Sequence, residues 1–183
     1  KATTLLEEKG YPIALSSENI IDQFDQIEQL QYHSSQVDLL RLEIQTTIFS
    51  FDPTLAETFE KRLNDAVKNP SVDIKTIAEN IATISEHLQI RLNEMNTLIH
   101  RWGSEGYTYH GRTQITPDEL LEWEQILPEV EQQYHRHVSA HERWNELSKA
   151  WDLSDTMIEQ TIGKIERTDD LLDKIESVEQ EWT

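Results

Sequence analysis

Residues 71–102 read SVDIKTIAENIATISEHLQIRLNEMNTLIHRW, and this stretch decides the class of the fold. Ile74, Ile81, Leu88, Met95 and Trp102 stand seven apart, and Ile77, Ile84 and Leu98 hold the complementary seam. The run contains no Pro or Gly, so nothing interrupts a helix that presents one apolar face at a heptad period. Such a helix must pack at a shallow angle against others. Arg91 is the one residue that departs from the seam.

Working outward, the same period recurs on both sides. Residues 1–9 suit a short helix stopped by Gly10-Tyr11-Pro12, and Ser16 or Ser17 can cap a helix over 17–48. That helix carries Ile20, Phe24, Ile27, Leu30, Val37, Ile44 and Ile48, and its stripe thins at residues 31–36. Asp52-Pro53 reads as cap and first position of a helix over 53–68, with Leu55, Phe59, Leu63 and Val67 on one face. Asn69-Pro70 restarts the chain into 71–102. Residues 103–116 form a loop. Thr116-Pro117-Asp118-Glu119 is a capping box for a helix over 117–127, which Pro128 is expected to end or kink. From Glu129 the spacing of Val130, Tyr134, His137, His141, Trp144, Trp151, Ile158, Ile165 and Leu172 predicts one helix to Trp182, about 80 Å long. The expected fold is therefore all-α: one domain over 1–183, an elongated antiparallel helical bundle of two stacked modules sharing that C-terminal helix. No period of 20–50 residues repeats, which argues against a solenoid.

Composition narrows the function classes. Sixteen basic against 35 acidic residues give a net charge of −19, a field that repels nucleic acid and anionic lipid. The absence of Cys removes disulfides and thiol chemistry. No run approaches the roughly twenty apolar residues of a membrane span. The chain opens on Lys1 and its last helix lacks a stop signal, so an excised fragment is expected, with any membrane segments flanking it. No Gly-rich phosphate loop, nucleophile elbow or His-Glu-x-x-His occurs. We therefore expect a binding or signalling module, with no cofactor, rather than an enzyme.

Three sets of residues could carry chemistry. Arg91 on the inner seam, and Arg41 on the face shared by Ile27 and Ile48, each need an anion, because a guanidinium cannot shed its charge. That anion is either a small carboxylate ligand held between helices or one of the chain's own acids, and the remaining reading is a side chain that snorkels to solvent. His137 and His141, four apart beside His135-Arg136, could share a metal on one helix face. The paired Glu-x-x-His motifs of di-iron bundles are lacking, however, and ordinary packing or a protonation switch are the other readings. Trp102, Tyr107, Tyr109 and Trp144 either line a ligand pocket or plug the end of a bundle.

The run Asp38-Leu39-Leu40-Arg41-Leu42-Glu43-Ile44, followed by Phe49-Ser50-Phe51-Asp52-Pro53-Thr54-Leu55-Ala56-Glu57, resembles the extracytoplasmic helical sensor domains of bacterial chemoreceptors and sensor histidine kinases. The later part is similar in architecture to their two-module helical form. The resemblance implies a periplasmic ligand-sensing domain of a transmembrane signalling receptor, homodimeric through its long helices, with small carboxylates as ligands. It places Arg41 where such domains put a ligand-binding Arg. The other reading is a cytoplasmic coiled-coil or spectrin-like segment of a larger scaffold, since Arg143-Trp144 with Trp182 resembles spectrin repeats.

Overall fold

The computed structural model describes residues 2–12, 20–69, 71–153 and 156–182. The chain is all-α and forms two compact units, residues 1–90 and 91–183. Its helices are α1 (Ala2–Glu8), α2 (Ile20–Glu43, continued by a π turn, Ile44–Ile48), α3 (Pro53–Lys68), α4 (Ile74–Ser104), α5 (Leu120–Trp151), α6 (Thr156–Glu159) and α7 (Thr168–Trp182). Among the described residues no helix is long and apolar enough to cross a membrane.

The first unit is a set of short-connected helices. Gly10, at φ 84°, ends α1 as the sequence predicts. At the start of α3, Asp52 accepts a hydrogen bond from the Leu55 amide at 2.9 Å, with Pro53 in the first turn. Arg41 reaches Asn64 while Gln45, further along, reaches Glu60, further back, so α2 and α3 run antiparallel. Val37, Leu40, Ile44 and Ile48 of α2 and its π turn meet Phe59, Leu63 and Ala66 of α3 in the core, with Ile77 and Ile81 of α4 also buried. Each fully buried Ile or Leu stabilises the unit by about 2 kcal/mol. Phe24, expected on the buried stripe, is exposed instead. The start of the 17–48 helix, residues 17–19, lies outside the described residues, as does Pro70.

The second unit departs from the expected antiparallel order. Between Arg91 and Trp102, partners on α5 advance from Glu124 to Tyr134, so α4 and α5 run in the same direction. Between His137 and Arg143, partners on α7 advance from Thr168 to Glu179, so α5 and α7 are parallel too. Parallel helices need a return segment between them. Residues 105–116 supply the first, with Asn96 clamping the Ile115 backbone through its amide (Ile115 N–H to Oδ1, 2.7 Å; Nδ2 to Ile115 O, 3.2 Å).

The described residues between α5 and α7, 152–153 and 156–167, supply the second return, and they break the single 129–182 helix that heptad spacing predicts. Asp152 turns left-handed at φ 53°, a conformation short polar side chains tolerate, and the 3-10 turn Ile165–Arg167 precedes α7. Gly163 sits at φ 84°, and a Cβ there would lie 2.5 Å from the Gly106 carbonyl oxygen, so only glycine fits. The two return segments touch at this point, where Thr108 donates to Gly163 O (2.7 Å) and Ile165 donates to Thr108 O (2.9 Å). Ile158 and Ile165, expected on the helix stripe, are buried within the return. Pro128, expected to kink or restart a helix, does not interrupt α5 and lies on its exposed side, where the carbonyl it leaves unpaired can turn to water.

Candidate functional site

The seam of α4 passes through Ile81, Leu88, Leu92, Met95, Ile99 and Trp102. A straight helix repeats at 3.6 residues, so a heptad seam drifts about 20° per repeat, and here it moves from position 91 to position 92. Arg91 is consequently exposed rather than inward. Glu124 holds it bidentately, Nε at 2.6 Å from Oε1 and Nη2 on Oε2, and that bond raises the guanidinium pKa further. Arg41 is half-buried in the first unit, with Asp38 at 3.7 Å, Glu60 at 3.6 Å and the Asn64 carbonyl at 2.7 Å. Each arginine therefore has acids of its own in its own unit. Internal pairing, one of the readings left open above, is the arrangement found.

The aromatic set divides. Trp102 is buried and stacks on Tyr134 (centroids 5.3 Å, planes 23° apart). Tyr107 packs edge-on against Tyr134, His137 and His141, with its hydroxyl 2.9 Å from His141 Nδ1. Tyr109 turns away to Trp123, at 5.8 Å. Trp144 belongs to a different cluster, with Ala140, Ile158, Leu171 and Ile175. Trp102, Tyr107 and Trp144 are buried in the packing of the unit. Tyr134 donates to Glu105, and burial followed by that carboxylate pushes the phenol pKa up to about 12.

His137 is fully buried beneath this cluster. Thr168 Oγ1 donates to the Ile165 carbonyl (2.7 Å), so its lone pair takes the His137 Nδ1–H at 3.1 Å. His137 Nε2 and Trp102 Nε1 are both buried without a hydrogen-bond partner. Burial, and then the neighbouring His141, lower the His137 pKa to about 4. His137 and His141 are thus a packed imidazole and a tyrosine partner. Among the described residues no three His, Asp or Glu side chains gather as a metal site would require.

An opening does exist on another face of α5. A groove of about 430 Å³ is lined by His135, Arg136, Ser139, Ala140 and Arg143 of α5 with Leu172 of α7. Its hollow arises because Ser139 and Ala140 are small where the flanking positions are long. Two arginines seven residues apart lie on one helix face, about 10 Å along the axis. Each ties α5 to α7, Arg136 to Asp169 (2.8 Å) and Arg143 to Glu179 (Nε at 2.8 Å). Each guanidinium has five donors and these bonds use one and two of them, so both retain donors for a further anion. With Ala140 and Leu172 beneath, the site offers ion-paired guanidinium flanks with spare donors over an apolar floor. The sequence signal for it was Arg136 and Arg143 bracketing two small residues, which heptad analysis of large apolar residues passes over.

No family model, no curated protein and no solved structure matches this chain.

Proposed function

We propose that this chain is the extracytoplasmic ligand-sensing portion of a transmembrane signalling receptor, and that its signal is a small organic anion taken up in the α5–α7 groove. One observation carries the reading: in a chain of net charge −19, two arginines and His135 converge on a hollow with an apolar floor. An anion is repelled by such a chain in general and needs a local concentration of positive charge to bind. A volume of about 430 Å³ accommodates a carboxylate with a short carbon chain. Binding also has a route to a signal. A ligand carboxylate that takes Arg143 from Glu179 removes one of the arginine ion pairs that join α5 to α7, and the position of α7 then depends on occupancy. The resemblance to periplasmic sensor domains supports the same class of ligand.

The test is thermal melting against a panel of mono- and dicarboxylates of two to six carbons. A rise with one of them is expected, lost in Arg136→Ala/Arg143→Ala and kept in Arg41→Ala. No rise with any acid, or a rise that survives the double substitution, removes the reading.

A second reading, an interaction segment of a larger assembly, is favoured by a different observation. Five large apolar residues of α2, Ile21, Phe24, Tyr32, Leu39 and Leu42, are exposed.

A further inference from the structure

The exposed residues of α2 recur at whole turns. Ile21, Phe24 and Asp25 are followed eighteen residues later by Leu39, Leu42 and Glu43, and at about 100° per residue that separation is five turns. Both triplets therefore lie on one face, about 27 Å apart, with Glu28 and Tyr32 on the same face between them. The five apolar members are each 60–69% exposed, opposite the buried line of Val37, Leu40 and Ile44. Glu28 stands inside their arc of about 80°, and Asp25 and Glu43 stand at its edge. Arg41 is the one Lys or Arg in α2, and Asp38, Glu60 and Asn64 occupy it. Among the described residues no Lys or Arg pairs with Asp25, Glu28 or Glu43. Singly exposed apolar residues are ordinary, but a face that mixes them with unpaired acids at helix spacing fits an amphipathic helix of opposite charge.

We infer that this face of α2 binds an amphipathic helix of a partner protein, one whose apolar stripe is flanked by Lys or Arg. The apolar side chains hold such a helix by burial, while the acids select its sign and speed its arrival. To reach both triplets the partner needs about 20 helical residues. Charge decides against the other occupants. A second α2 brings only further acids to this face, and neutral lipid strips water from three carboxylates without pairing them. Anionic lipid is repelled outright. The inference names the partner for the interaction-segment reading above and rests on it; the groove of the second unit plays no part.

The probe is a synthetic helix of about 20 residues with Leu along one stripe and Lys beside it, titrated calorimetrically into the whole chain. Binding is expected, with affinity falling as NaCl is raised. The same peptide with Glu for Lys, or with Ser for Leu, should bind at least about tenfold more weakly. On the chain, Leu39→Ser/Leu42→Ser and, separately, Asp25→Asn/Glu28→Gln/Glu43→Gln should each weaken binding about tenfold. Glu122→Gln/Glu129→Gln/Glu146→Gln, which removes the same charge from exposed positions of α5, should leave it unchanged, as should Arg136→Ala/Arg143→Ala. Equal weakening by the α5 set, or equal binding of the Ser peptide, reduces the effect to general charge attraction and overturns the inference. Equal binding of the Glu peptide overturns the basic partner while leaving an interaction face, and no binding of any peptide removes both. A light-scattering mass twice 21.4 kDa, or co-sedimentation with phosphatidylcholine vesicles, lost in Leu39→Ser/Leu42→Ser, gives the face to a second copy or to lipid and also overturns it. Should a variant chain lose its helical circular dichroism, the three peptides on the unmodified chain decide alone.

Discussion

The two units use the same kind of amphipathic helix and connect it in opposite ways. In the first, α2 and α3 are joined by a tight turn capped by Asp52, and the chain reverses direction at once. In the second, α4, α5 and α7 run parallel, and after α4 and again after α5 the chain must travel back before the next can start. A return segment brings polar backbone inside the unit, and that backbone must be satisfied. Asn96, Thr168 and the Thr108–Gly163 contact do so here. The parallel unit therefore carries buried polar groups whose geometry is specific, whereas apolar packing and a cap dominate the hairpin.

If that contrast is right, substitutions at the returns should cost most. Gly163→Ala combines a left-handed backbone with a clash against the Gly106 carbonyl, and should destabilise the second unit by about 3 kcal/mol in chemical denaturation. Amide exchange should speed in residues 91–183 and stay unchanged in the first unit. Equal loss of protection in both units would break the comparison.

Acid should separate the units next. The unfolded His137 imidazole binds a proton below about pH 6.5 and the folded one only below about 4, so unfolding takes up a proton in between. The stability this depression gives is fully present above pH 6.5 and is lost as pH falls towards 4. The loss should approach 2–3 kcal/mol, on the order of 1.4 kcal/mol per pH unit. His137→Gln should flatten the dependence, read as the urea midpoint against pH. A first unit that melts earlier in acid than the second would contradict the assignment.

Smaller effects sharpen the contrast. Asp52→Ala removes the cap that makes the first unit's reversal tight, at about 1 kcal/mol. Arg91→Ala breaks an exposed ion pair in the second unit and should change stability by no more than about 0.5 kcal/mol. A large effect at Arg91 would mean that its pairing, not the return segments, orders the second unit.

Much of this was legible beforehand. The helical class, the Gly10 stop, the Asp52-Pro53 start and the Thr116–Glu119 box, in which the Thr116 amide donates to Glu119 at 2.9 Å, depend on neighbours a few residues apart. The groove was not legible, because it consists of small side chains on α5 facing Leu172 beyond a return segment whose heptad spacing predicts helix. Gly163 within an apparent heptad run was the available warning. The inward placement of Arg91 failed for a related reason. Heptad spacing drifts on a straight helix, and which residue faces the core late in the run depends on where the partner helix lies.

The sequence by itself determined that this chain is helical, where several of its helices begin, and that it carries a net charge of −19. Those properties follow from local hydrogen bonding, apolar period and summed charge, which do not need to know what lies across the fold. Only the tertiary structure decided that the second unit's helices are parallel, that Arg41 and Arg91 are paired with the chain's own acids, and that Arg136 and Arg143 flank an opening. Each of these depends on residues far apart in sequence meeting after the chain has turned back. An apolar period records that a face is buried or shared, and says nothing of its partner or of the direction in which that partner runs.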